Sequence, residues 1–191
     1  MKKSTIIILV VLGVIVISVI GLASSFIGRY NRMQQLVIEV ENGWAEVENQ
    51  LNRRFDLIPN LVETVRGYAS HESDVLMQVT ESRSRVGSAQ STQERMDANN
   101  ELSSSLSRLL VVVEAYPDLK ANQNFIRLQD ELAGTENRLA TARRRYNDSV
   151  SALNRARVVF PNNIIANMFD IQAATFFEAP QEARTAPQVQ F

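Results

Sequence analysis

Residues 30–68 read YNRMQQLVIEVENGWAEVENQLNRRFDLIPNLVETVRGY. Apolar side chains fall at Leu36, Val40, Trp44, Val47, Leu51, Phe55, Ile58, Val62 and Val65, each three or four positions after the last, while Glu39, Glu41, Glu46, Glu48, Asn52 and Arg53 lie off that line. Positions so spaced share one face of a helix, so the stretch predicts an amphipathic α-helix. At ~1.5 Å per residue it would run roughly 57 Å, far longer than the ~11–12 residues of an ordinary globular helix. Only long partner helices can cover such a stripe. Pro59 sits inside the pattern, where it removes one backbone hydrogen bond and crowds the carbonyl of Phe55. Because the stripe continues in phase beyond it, a bend at residues 55–60 is expected instead of a stop.

Working back toward the N-terminus, residues 5–27 read TIIILVVLGVIVISVIGLASSFI, with no charged side chain between Ser4 and Gly28. As a helix this run would span roughly 34 Å, slightly more than the ~30 Å hydrocarbon core of a bilayer. It predicts a transmembrane anchor, flanked by Lys2 and Lys3 on one side and by Arg29, Tyr30 and Arg32 on the other. A cleaved signal peptide is the competing reading, with Gly21-Leu22-Ala23 or Ala23-Ser24-Ser25 as the cleavage site. The apolar run is much longer than the ~7–15 residues of a signal core, which favours a retained anchor. The positive-inside rule places the N-terminus in the cytoplasm and the rest of the chain outside, in a bacterial inner membrane.

Working forward, Gly67 and its neighbours break the first helix, and Ser70 or Ser73 is positioned to cap a second. Val75, Leu76, Val79 and Val86 carry that second stripe into a serine-rich region, residues 82–91, where Ser91 and Glu94 fit a capping box. Leu102, Leu106, Leu109, Leu110 and Val113 mark a further face, which Pro117 terminates. A last long helix starting near Lys120 or Ala121 carries Phe125, Leu128, Leu132, Leu139, Ala142, Tyr146, Val150 and Leu153 and stops before Pro161. The spans 30–68, 71–115 and 121–158 have matched lengths, so the fold class is all-α: an N-terminal transmembrane helix followed by an antiparallel up-and-down bundle. Three long legs with an interrupted middle one are favoured, and a four-helix bundle is the alternative. The choice has a consequence. Three legs put Phe160 far from the membrane, and four bring it back.

The domain organisation expected is therefore a basic flank (1–4), the anchor (5–27), the bundle (30–160), a short apolar segment (161–177) and a loose tail (178–191). In the apolar segment Ile164, Ile165, Met168 and Phe169, preceded by Phe160 and followed by Phe176 and Phe177, either plug the end of the bundle or form a patch for a partner or a membrane surface.

Composition narrows the function. The chain has 191 residues, a formal charge of −1 and no cysteine, which excludes disulfides, thiolate metal sites and cysteine nucleophiles and argues against nucleic-acid binding. His71 is the single histidine and lies in a predicted turn. No phosphate loop, nucleophile elbow or HExxH is present, and Asp130 and Glu131 are adjacent and so diverge on a helix. No catalytic, metal or cofactor site is predicted, nor a small-molecule substrate. The cations are nearly all arginine. Arg53, Arg54, Arg143, Arg144 and Arg145 suit carboxylates on facing helices, and equally a partner surface or anionic lipid.

Trp44 together with LNRRFDLIPNLVETVRGY at 51–68, EAYPDLKAN at 114–122, and Tyr146-Asn147-Asp148 followed by Phe160-Pro161-Asn162-Asn163-Ile164 closely resemble the LemA family. The resemblance covers residues 30–178. It implies an N-terminally anchored, helical bacterial membrane protein, in a family that includes a relative implicated in magnetosome formation and whose genes often neighbour those of membrane proteases. Some members begin with a lipoprotein cysteine, which this chain lacks. The resulting expectation is a non-enzymatic membrane-anchored scaffold or adaptor that self-associates and binds an unidentified protein. The alternative is a membrane-shaping or lipid-organising protein that touches the bilayer through its arginines and its apolar C-terminal segment.

Overall fold

The computed structural model describes residues 3–178 of the chain. The basic flank at Met1 and Lys2 and nearly all of the expected tail lie outside the described residues. Within them the fold is all-α, with α1 at Lys3–Arg66, α2 at Ser73–Ser88, α3 at Thr92–Val113, α4 at Pro117–Lys120, α5 at Gln123–Val158 and α6 at Asn162–Met168. The apolar leader and the first amphipathic leg are one continuous helix. Two compact units can be distinguished: Met1–Glu41 with Ser149–Ala174, and Asn42–Asp148 with Thr175–Phe191.

In the second unit the helices run up, down, up and down. Along α1 and α5, Trp44 meets Tyr146 with ring centroids 5.7 Å apart, and Arg54 meets Glu136 at 2.8 Å, so the two helices are antiparallel. Between them α2 and α3 form a short hairpin, joined side to side by Ser82 to Ser105 at 2.8 Å, Arg85 to Glu101 and Arg108 to Gln78. The favoured three-legged arrangement is thus corrected to the four-helix alternative. The reason is local: Ala89 is extended, and Ser91 restarts the helix with a complete capping box, its side chain accepting from the Glu94 N–H while the Glu94 carboxylate accepts from the Ser91 N–H. Small side chains permit close approach, Ser82 to Ser105 across the hairpin and Gly87 toward α1. Gly87 lies against the Phe55 ring, where a Cβ would come within 3.3 Å.

The core of this unit joins Ile58, Leu61, Val62 and Val65 of α1 to Leu76, Val79 and Val86 of α2, Leu102, Leu106, Leu109 and Val113 of α3, and Phe125 of α5. These include the stripes legible in the sequence. Three local expectations need correction. Neither Ser70 nor Ser73 caps α2, whose N-cap is Glu72 without a side-chain cap bond; that carboxylate instead accepts from the Tyr116 hydroxyl at 2.9 Å. Pro117 ends nothing by itself, since α3 has already stopped at Val113 and proline occupies the first turn of α4, where its missing N–H costs nothing. Finally, α5 starts at Gln123, because the Asn122 side chain accepts from the N–H groups of Asn124 and Phe125.

Pro59 lies within α1, which runs on to Arg66. The carbonyl of Phe55, deprived of its helical donor, accepts from Arg83 Nε at 3.1 Å, and the Arg83 guanidinium stands 3.8 Å above the Phe55 ring.

In the first unit, Met33 and Leu36 of α1 pack with Leu153 of α5, Ala166 of α6 and Ile171 beyond it. Here the end of α5 and all of α6 come back beside the close of the apolar run. Phe169 contacts Tyr30 and Phe26, at centroid distances of 4.4 and 6.3 Å, and Arg29 donates to Asn162 at 3.3 Å. This is the return that the four-helix alternative implies, and the three-legged reading, which put Phe160 far from the anchor, is overturned.

Candidate functional site

The first unit carries an apolar face at the end of the membrane-length segment. α6 has seven residues, and its Ile165 and Ala166 are buried. The rest of the predicted patch faces solvent: Phe160 is 77% exposed, Met168 63% and Ile164 49%, with Phe169 also exposed. Val158 and Val159, which precede Phe160 in the chain, are exposed as well. Pro161 stands between α5 and α6, and Arg29, Arg32 and Tyr30 are carried on the neighbouring turns of α1. Residues 9–27 of α1 carry no charge and are exposed apart from the half-buried Phe26, and among the described residues α1 is the helix long and apolar enough to cross a membrane.

Phe176 and Phe177 belong elsewhere. They lie on an extended strap in which Phe177 is buried and Phe176 is not. Asn147 clasps the strap, donating to the Phe177 carbonyl at 2.9 Å and accepting from its N–H at 2.8 Å, while the Tyr146 hydroxyl donates to the Thr175 carbonyl. Burial raises the Tyr146 phenol above its ordinary value. In the first unit Asn154 holds Ala174 by the same pair of bonds, and Arg157 donates to the Ile171 carbonyl. The asparagines are seven positions apart, two helical turns, so the spacing was readable in the sequence although the strap was not.

The five arginines are not equivalent. Arg53 is exposed, 3.8 Å from Glu131, and Arg145 is exposed, 3.8 Å from Glu46; Arg144 also faces solvent. Arg54 is only 6% exposed. Its Nη1 donates to Ser103 Oγ at 2.8 Å and Asn99 Oδ1 at 3.4 Å, and lies 2.8 Å from Glu136 Oε2 in an ion-pair contact rather than a hydrogen bond. Arg143 is half-buried, with its guanidinium over the Phe177 ring at 4.3 Å. Burial lowers the pKa of both guanidiniums; Glu136 pulls each back up, and Arg54 depresses Arg143 further. Sequence reasoning missed Asn99, Ser103 and Glu136. The one available sign was a polar Asn99 three positions before Leu102, on the apolar face of α3.

His71 is exposed, and among the described residues no group of three or more His, Cys, Asp or Glu side chains could hold a metal ion.

Comparison with known proteins finds relatives along most of the chain. Protein LemA of Metamycoplasma hominis is 22% identical over 160 residues, covering 83% of this chain and 73% of its own. Magnetosome protein MamQ 2 of Paramagnetospirillum magneticum is 23% identical over 189 residues, covering 85% of this chain and 70% of its own. Magnetosome protein MamQ of Magnetospirillum gryphiswaldense is 19% identical over 192 residues, covering 87% and 71%. With residues 43–191 matching the model of the LemA family, from just before Trp44 through the arginine network and the asparagine clasp, the chain belongs to that family.

Proposed function

We propose that the protein is a non-enzymatic, single-pass membrane protein of the bacterial inner membrane that braces its helical domain against the lipid surface through α6. The observation that carries this reading is the exposure of Phe160, Ile164 and Met168 on the unit that holds the end of the apolar run. Apolar area of this kind is costly in water and favourable at the headgroup boundary, where a tyrosine and arginines commonly flank it. The N-terminus is cytoplasmic in this reading, and the bundle serves as a platform for protein or lipid.

The test uses the full chain in liposomes containing brominated lipids. With Trp44→Phe to remove the native indole, Phe160→Trp should be strongly quenched and Met77→Trp, exposed on α2, should not. Equal, weak quenching at both positions would sink the proposal.

A second reading, self-association as an adaptor, has its own support in the exposed side chains of Val111 (74%), Leu110 and Ile126. Serines of the hairpin do not add to that surface where they bond each other, as Ser82 does Ser105. Mass measured in mild detergent separates the readings, a strictly monomeric species removing the second.

A further inference from the structure

A groove of about 370 Å³ in the second unit is bounded by α1, α3 and α5. Leu61, Leu106, Leu110, Leu132 and Ala133 form its apolar walls, and Arg54, Ser103 and Glu136 its polar end. Volume alone places it at the low end of small-molecule sites, which run to about 300–1,000 Å³. A partner helix about 10 Å across would fill that space with roughly a single turn, whereas one alkyl chain fits along it.

Counted with Arg143 behind it, the polar end carries a charge imbalance. Arg54 and Arg143 are two guanidiniums, and Glu136 is the carboxylate whose charge acts on both. At the groove the Nε of Arg54 is buried without a hydrogen-bond partner in the protein, and so are the Nε and Nη2 of Arg143, which stands behind the groove lining; Glu136 Oε2 is held by Arg54 through the ion pair alone. A buried positive excess is costly, and an anionic acceptor beside it recovers that cost. Guanidinium's planar fork matches a carboxylate.

We propose that this groove binds a single-chain fatty carboxylate, with the alkyl chain along the leucines and the head beside Arg54. The site is separate from the α6 face and does not depend on it.

The full-length protein in liposomes is exposed to palmitic acid bearing a diazirine, and in parallel to its methyl ester, and labelled residues are mapped by mass spectrometry. The acid should label Leu106, Leu110, Leu132 or Ala133. The ester, unable to present an anion, should label them about tenfold less, the scale of one lost charge-assisted hydrogen bond. Ala133→Trp and Gln129→Trp, both at exposed positions on the groove, should each abolish those labels while leaving helicity unchanged. Glu136→Gln, which removes the competing carboxylate, should raise them. Equal labelling by acid and ester, labels confined to residues 5–27 and α6, or persistence in both tryptophan variants would overturn the proposal. So would protein–protein cross-links from a photo-leucine at Leu110, which would identify a partner helix as the occupant. Labels on α6 report bilayer contact separately, so their absence alone counts against the bracing role and not against the groove.

Discussion

Arg53 and Arg54 are neighbours with opposite fates, and the difference is measurable. Arg53 holds an exposed contact to Glu131 at 3.8 Å, so Arg53→Ala should change stability by less than about 1 kcal/mol. Arg54 is buried against Ser103, Asn99 and Glu136. Its replacement by alanine should cost roughly 3 kcal/mol, the low end for breaking a buried pair, because half-exposed Glu136 can return to water. Chemical denaturation of the two variants checks both, and equal effects would contradict the burial. Gly43 offers a second test at this scale. A Cβ there would stand 3.2 Å from the Tyr146 Cα, backbone that cannot rotate aside, so Gly43→Ala should separate α1 from α5 locally and cost about 1–3 kcal/mol. The sequence displays the arginine pair and the glycine but not their partners: Arg54, three positions after Leu51 and four before Ile58, shares their buried face of α1, and Arg53, one residue away, does not.

The hairpin of α2 and α3 was half legible. Its apolar stripes and the Ser91–Glu94 box could be read from spacing; whether the break reverses the chain could not, because a cap marks where a helix begins and not its direction. Ser91→Ala should destabilise the protein by about 1 kcal/mol in thermal unfolding. The Glu94 carboxylate is held below its ordinary value, chiefly by the Gln90 and Ser91 N–H groups. A group whose pKa is depressed on folding stabilises above its unfolded value of about 4.3, and that contribution fades as pH falls through the folded value. In Glu94→Gln this part of the acid-side decline should be missing, and an unchanged acid profile would argue against the box. At Pro59 the coupling crosses helices. Arg83→Met should cost about 1–3 kcal/mol by orphaning the Phe55 carbonyl, and Pro59→Ala, which restores that carbonyl's helical donor, should recover part of the loss. Simple additivity in the double-mutant cycle would refute the coupling.

At the scale of the whole molecule, the path of the chain determines what lies beside the anchor. The protein has no cysteine, so a single introduced pair gives a clean reading. Arg29→Cys with Asn162→Cys, at side chains that touch at 3.3 Å, should cross-link within one chain by a short bismaleimide. A three-legged chain would keep them apart and give none.

Much of this molecule was set by sequence alone. Charge exclusion over residues 5–27 fixed a membrane-length helix, and a three-to-four spacing repeated along four segments fixed an all-α fold and most of its core, since both depend only on helical geometry and water's aversion to apolar surface. Tertiary structure decided the rest: that the serine-rich break is a reversal, that α6 therefore returns beside Tyr30, and that Arg54 and Asn147 face inward. Those outcomes depend on which surfaces meet across the chain, a long-range balance of packing and desolvation that no stretch of neighbours encodes.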